Sequence, residues 1–275
     1  MLKLAAFVVL AAATAATAAS AQDRPRHFSQ CQAIAQGLPG ARYAAYQGEG
    51  LPVLKAAMTD QTVSITFLGH STFHIVTPEG VTIATDYSGW HRPEVPPMVA
   101  TMNHAHSTHF TLTPEPEIDY VLHGWSDTPG EKAQHEVMLR DTFIRNVTTD
   151  IRRYGGEEKD GNSIFIFEVA GLCIGHLGHL HHELSEGHYT EIGRLDVVMV
   201  PVDGGLTMGA DKMSRVVKRL RSSLVLPMHR RGPPVETFLA LFGPDFDFRF
   251  AESATVDVSL NSLPKKPTIL VLQGL

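Results

Sequence analysis

From Val63 onward, short β-branched and apolar runs alternate with sharp breaks. Runs at residues 63–68, 73–77 and 81–85 are separated by Gly69 and by Pro78-Glu79-Gly80. This spacing predicts successive antiparallel strands joined by hairpins. Further strands are expected at 120–122, 143–147, 164–169 and 172–174, the last two linked by Ala170-Gly171. Residues 197–202 form an unbroken apolar run that ends at Asp203-Gly204-Gly205, which reads as a buried strand feeding a loop. Asp211 is expected to cap a helix in which Met213, Val216, Val217 and Leu220 fall at i, i+3, i+4 and i+7. Lys212, Arg215, Lys218, Arg219 and Arg221 occupy its other faces, and a second apolar strand, 224–228, ends at His229. Strand, helix and strand make a βαβ unit. Hairpins early and a crossover late predict an α/β protein with mixed sheets. Residues 22–60 read as an extension with one short helix at 30–36. Nothing divides residues 61–275, which are expected to form one domain.

Residues 1–21 differ from all of this. Lys3 precedes an Ala-rich apolar run, and Ala19-Ser20-Ala21 is a small-residue cleavage site before Gln22. The segment reads as a cleaved signal peptide, giving a periplasmic or secreted protein. No other stretch is apolar for the roughly 20 residues that a membrane span needs. The formal net charge of −6 includes no basic stripe, so a nucleic-acid partner is not expected. A small-molecule substrate is. Cys31 and Cys173 would be free to pair in an oxidising compartment. The apolar surroundings of Cys173 favour a small packed hydrophobe instead.

Histidine is the outlier of the composition. There are 15, and eight of them fall within residues 104–109 and 176–188. Imidazole is the commonest metal ligand near neutral pH. His104-Ala105-His106-Ser107-Thr108-His109 follows the apolar stretch 99–102, at the junction of a strand and a loop. His104 and His106 share a side on extended chain, and a turn brings His109 back to them. Three imidazoles leaving one loop suit zinc. In the second cluster, His176 and His179 face opposite sides unless Gly178 supplies a turn. His181, His182 and His188 read as solvated. His229 stands at a strand end, like both clusters.

The ordered set Ile65-Thr66-Phe67-Leu68-Gly69-His70-Ser71, Thr85-Asp86, the H-x-H-x-x-H loop, Gly175-His176-Leu177-Gly178, the run 197–205 and Pro227-Met228-His229 resembles the metallo-β-lactamase superfamily. It is most similar to the broad bacterial branch of zinc-dependent hydrolases that includes lactonases and phospholipase-D-like enzymes. The resemblance covers about residues 62–230. It implies a four-layer αββα sandwich with a metal site at one edge of its two sheets. It also implies His104, His106, His109 and His229 as metal ligands, with His179 carried over by position only. His176 remains the alternative to His179.

Departures from the family pattern matter as much. Thr108 stands where the family loop carries an aspartate for the second metal, and His179 stands where an aspartate bridges two metals. No histidine occurs near Asp150 and Ile151, where the family has its third. A pocket of neutral imidazoles compensates two zinc ions poorly. The site is therefore expected to hold one ion firmly or to recruit a carboxylate, Asp150 or Asp203. Asp86 is expected to orient a ligand histidine from behind. His70 and Asp203 are the catalytic candidates, His70 as a proton donor or a group behind a ligand. The expected cofactor is zinc, one or two ions, with iron or manganese as substitutes. The expected reaction is hydrolysis of an ester, lactone, amide or phosphodiester by water that the metal makes acidic, to a pKa of about 7. The alternative is a non-catalytic member of the fold that binds metal or ligand. Ser71 and Ser107 lack a nucleophile-elbow sequence. Arg152-Arg153 and Arg230-Arg231 flank the site loops, and Trp90 and Trp125 read as packing.

Overall fold

The structure, a computed structural model, describes residues 28–32, 61–153 and 156–275. The expected signal segment and most of the 22–60 extension lie outside the described residues, as do positions 33–36 of the expected short helix. A helical turn occupies residues 30–32.

Fourteen strands form two sheets among the described residues. The smaller takes in β1 (Val63–Gly69), β2 (Thr72–Val76), β3 (Thr82–Ala84), β4 (Val99–Met102), β5 (Tyr120–His123) and β13 (Thr255–Val258), in the order β13-β1-β2-β3-β4-β5. The larger has the order β12-β14-β11-β10-β9-β8-β7-β6. Its strands are β6 (Glu136–Leu139), β7 (Thr142–Arg153), β8 (Gly156–Val169), β9 (Leu172–His176), β10 (Val197–Pro201), β11 (Leu224–Met228), β12 (Asp247–Phe250) and β14 (Thr268–Val271).

Side-chain alternation explains how the sheets pack. Val63, Ile65 and Phe67 of β1 face a core shared with Phe165, Phe167, Val197, Met199, Leu224, Leu226 and Met228 of the larger sheet. The intervening Ile164, Ile166, Val198, Val200 and Val225 point to the opposite face. There they meet α1 (Glu186–Ile192), α2 (Ala210–Leu220) and α3 (Val235–Leu239) through Ile192, Met213, Val216, Val217, Phe238 and Leu239. A strand covered on both faces has no polar face, which is why 197–202 and 224–228 read as continuous apolar runs. Burial of each such side chain stabilises the fold by roughly 1.5–3 kcal/mol. The result is an α/β sandwich. All three described helices lie against the larger sheet. Behind the smaller one sits a cluster of Ala84, Tyr87, Ala100, Met102, Ile118 and Trp125. No described helix is long and apolar enough to cross a membrane.

Strand direction gathers the site. β1 and β3 are each antiparallel to β2, and β4 is parallel to β3, so β1, β3 and β4 all end at one edge. β9, β10 and β11 are mutually parallel and likewise end together. The His229 N–H donates to the His70 carbonyl at 2.6 Å, joining the two edges.

Two sequence expectations are corrected. The helix after β10 is capped at Gly209, without a side-chain hydrogen bond, and Asp211 lies in its first turn, where a carboxylate favours the positive end of the helix. Cys173 is not a free packed thiol: it forms a disulfide with Cys31, 142 positions away. That bond ties residues 28–32 to β9. The same segment is held by Ser29 Oγ, which donates to Glu168 at 2.5 Å, and by the Arg194 N–H, which donates to the Cys31 carbonyl at 3.1 Å. Glu168 is itself paired with buried Arg145. The variant Cys31→Ser is expected to lower unfolding free energy by about 2–5 kcal/mol with secondary structure intact. Denaturant titration of both proteins measures this, and equal midpoints would contradict a stabilising cross-link.

Candidate metal centre

Each histidine of the cluster leaves the end of a strand. His70 follows β1, His106 and His109 lie on the loop after β4, and His229 follows β11. His70 (φ 54°), Asp86 (φ 44°) and His229 (φ 54°) adopt left-handed backbone. For residues with a Cβ this costs roughly 1–3 kcal/mol each, a strain characteristic of functional positions. One ring nitrogen from each of His70, His106, His109 and His229 lies within 4.8 Å of the others.

Hydrogen bonding sets the chemistry of that convergence. His109 Nδ1 is 2.6 Å from Asp86 Oδ2, and His229 Nδ1 is 2.8 Å from Asp203 Oδ2. An ionised carboxylate only accepts, so both Nδ1 atoms carry a proton, and in the neutral ring Nε2 presents a lone pair. Those Nε2 atoms nevertheless face each other at 3.1 Å, and His70 Nε2 is 3.2 Å from His109 Nε2. Two lone pairs at that separation repel unless a proton or a metal cation lies between them. Tetrahedral zinc with bonds of roughly 2.0–2.1 Å would place its nitrogens about 3.3–3.4 Å apart. The donor set therefore fits a divalent ion. The Thr108 hydroxyl lies 2.9 Å from His70 Nε2 and 2.7 Å from His106 Nδ1.

Both carboxylates are anchored in turn. Asp203 Oδ1 accepts from the backbone N–H groups of Gly205, Leu206 and Thr207, and Oδ2 accepts from the Thr207 hydroxyl. Asn103 Nδ2 donates to Asp86 Oδ1 at 2.8 Å, while Asn103 Oδ1 accepts from the Ser163 N–H of β8 at 2.6 Å. Gly178, at φ +60°, makes room for this amide: a Cβ there would stand 2.3 Å from Asn103 Nδ2.

The residues singled out in the sequence fall into two groups. His70, His106, His109 and His229 come together. His104 does not: its Nδ1 meets Glu158 at 2.6 Å, and its ring stacks on Trp125 at 4.8 Å between centroids. The strand stops at Met102, and the Ala105 N–H turns back to the Asn103 carbonyl, so the same-side rule for extended chain fails for His104 and His106. His176 is also outside, because its Nε2–H donates to the Ser71 carbonyl and its Nδ1 accepts from the Gly178 N–H. Asp150 accepts from the Asp160 N–H and takes no part. Asp203 lies behind His229 with both oxygens occupied by hydrogen bonds, outside the group of converging ring nitrogens. Asp86 lies likewise behind His109.

His179 is 3% exposed, and its ring centroid lies 4.6 Å from His109 and 4.8 Å from His229. Neither of its ring nitrogens has a hydrogen-bond partner. His181, read as solvated, is buried, accepting from the Arg152 N–H and donating to the Leu206 carbonyl. Sequence reasoning missed Asn103 and the role of Thr108. Neither has a spacing signal beyond its place beside the histidine loop. Trp125 packs between His104 and His123, whereas Trp90 is exposed.

A cleft of about 970 Å³ opens beside the cluster, lined by His106, His179, His181, Phe110, Leu206 and Arg152 among others. Burial, aided by neighbouring His229 and His106, lowers His70 to about 4. Burial also lowers His106, takes His109 well below its usual value, and lowers His181 to about 4. Burial alone would raise the Asp203 carboxyl, but the hydrogen bonds from His229 and Thr207 outweigh it and hold the group below the usual carboxylate range.

The Beta-lactamase superfamily domain profile matches residues 64–229, more than half of the chain. The chain belongs to that superfamily. It is similar in structure to a candidate Zn-dependent hydrolase of the metallo-beta-lactamase superfamily from Thermotoga maritima, at 28% identity and a TM-score of 0.56, over 76% of this chain and 98% of that one. A metallo hydrolase from Ignicoccus hospitalis, Igni18, shares the fold at 19% identity and a TM-score of 0.51, over 72% and 99% of the two chains. A candidate metal-dependent hydrolase from Parabacteroides distasonis shares it at 12% identity and a TM-score of 0.53, over 66% and 88%. No curated protein gives a significant match.

The lowered histidines set a pH dependence for the metal-free protein. Each takes up its proton at lower pH when folded than when unfolded, where the midpoint is about 6.5. Below that point the unfolded chain binds more protons, so stability falls as pH falls. Thermal unfolding of metal-free protein should give a melting temperature several degrees lower at about pH 5 than at about pH 7.5. An equal or higher value at the acid end would contradict the lowering of His70, His106, His109 and His181.

Proposed function

We propose that the protein is an exported, metal-dependent hydrolase whose ion, zinc in the first instance, is held among His70, His106, His109 and His229. The single observation that carries this reading is the face-to-face approach of the His109 and His229 Nε2 atoms at 3.1 Å, with a carboxylate behind each Nδ1. Bound there, a divalent ion supplies a Lewis acid and lowers the pKa of its water to about 7. Asp86 and Asp203 fix the ring orientations and strengthen the imidazoles as donors. His106 and His179 border the cleft, so the open side of the cluster faces the space a substrate would occupy. Phe110 and Leu206 add apolar wall to that space. The substrate is a small molecule with a hydrolysable ester, lactone, amide or phosphodiester bond. Export is supported by the Ala-rich segment 1–21 and by the Cys31–Cys173 disulfide, a bond that persists in oxidising compartments.

A second reading rests on the fourth imidazole. If His106 completes a closed cage with the other three, the protein binds metal without turnover. Cobalt-substituted protein separates the two. An absorption change on adding azide shows an open position, and an unchanged spectrum supports the cage.

The test of the main reading is elemental analysis of purified protein beside a His109→Ala/His229→Ala variant, with a screen of esters, lactones and phosphodiesters. Retained zinc and turnover, both lost in the variant, are expected. Wild-type protein without metal would overturn the reading. Asp203→Asn, which takes away the charged acceptor for His229, should weaken zinc binding about 10–100-fold without altering the fold. Competition with a zinc chelator measures it, and wild-type affinity in that variant would contradict the role given to Asp203.

A further inference from the structure

We infer that the centre retains one divalent ion rather than a pair, and that His179 is not among its ligands. This rests on the metal-binding reading above and concerns how many ions these residues hold. A divalent ion brings two positive charges against buried His109 and His229, where uncompensated charge is costly. The converging imidazoles are neutral donors. The carboxylates in contact with them are Asp86 and Asp203, one negative charge each, which together match one divalent ion.

A second ion would need further negative charge, and the nearby carboxylates are committed elsewhere. Asp203 Oδ1 is taken up by three backbone N–H groups. Asp150 accepts from Asp160. Glu158 lies between His104 Nδ1 and Arg153, and Glu157 meets His182 Nε2 at 3.0 Å. The remaining charges nearby have the wrong sign. Arg152 and Arg153 both line the cleft.

The uncommitted side chains in contact with the cluster are neutral. Thr108 offers a hydroxyl. His179 offers a buried ring whose two nitrogens have no partner, 4.9 Å between centroids from His106. It is nonetheless absent from the group of four whose nitrogens converge within 4.8 Å. One hydroxyl and one imidazole, with no free carboxylate, do not make a second resident site.

The experiment loads full-length, processed protein with excess zinc, removes loosely held ions, and measures zinc per chain for wild type, His179→Ala and Thr108→Asp/His179→Asp. One equivalent is expected in wild type and in His179→Ala, and a second equivalent in the double aspartate variant. Two equivalents in wild type would overturn the inference and leave the hydrolase reading standing. None in wild type would remove the metal reading itself. Loss of zinc from His179→Ala, with an unchanged circular dichroism spectrum, would make His179 a ligand and overturn the inference. A double aspartate variant that folds and still holds one equivalent would overturn the charge argument.

Discussion

The pairing of a buried carboxylate with the far nitrogen of a histidine, made twice, is the constraint on which the centre depends. Asp86 faces His109 Nδ1, and Asp203 faces His229 Nδ1. Without these contacts either ring could turn or exchange its tautomer, and the Nε2 atoms would not be obliged to confront each other. With them, the two Nε2 atoms confront each other across 3.1 Å in the metal-free protein, a contact that either a proton or a metal cation satisfies. The same two carboxylates supply negative charge close to that cation while remaining out of reach of solvent. Orientation and charge balance thus come from one pair of residues.

Support for those carboxylates spreads through both sheets. Asp86 follows β3 of the smaller sheet, yet Asn103 ties it to Ser163 on β8 of the larger. Asp203 follows β10 and is caught in a loop whose successive N–H groups turn toward it. The hydrogen bond from His229 to the His70 carbonyl crosses between the sheets at the same edge. Parallel strands deliver several chain ends to one place, and these few polar contacts then set the side chains. The disulfide acts at the start of β9, whose far end leads to His176 and His179, and fastens residues 28–32 to the structural frame.

Much of this was legible in the sequence where burial leaves a strong pattern. The runs 63–68, 164–169, 197–202 and 224–228 are strands because their side chains fill the core between the sheets and the layer beneath the helices. The strands β6, β12 and β13 carried no such signal, since exposed positions interrupt their short apolar content. The histidine loop and His229 were visible as chemistry, but their geometry was only partly so. Strand alternation assigned His104 and His106 to one side, and the chain had already left the strand at Met102. His70 looked solitary because its neighbours arrive from distant strands. The contact between Cys31 and Cys173 spans 142 positions and has no local signature.

Anomalous diffraction from crystals of the zinc-loaded protein tests the centre most directly, because it locates the ion independently of activity. The expected result is a zinc peak about 2.0–2.1 Å from the Nε2 atoms of His109 and His229, beside His70. A peak at His104 and Glu158, or none within the histidine cluster, would contradict the assignment.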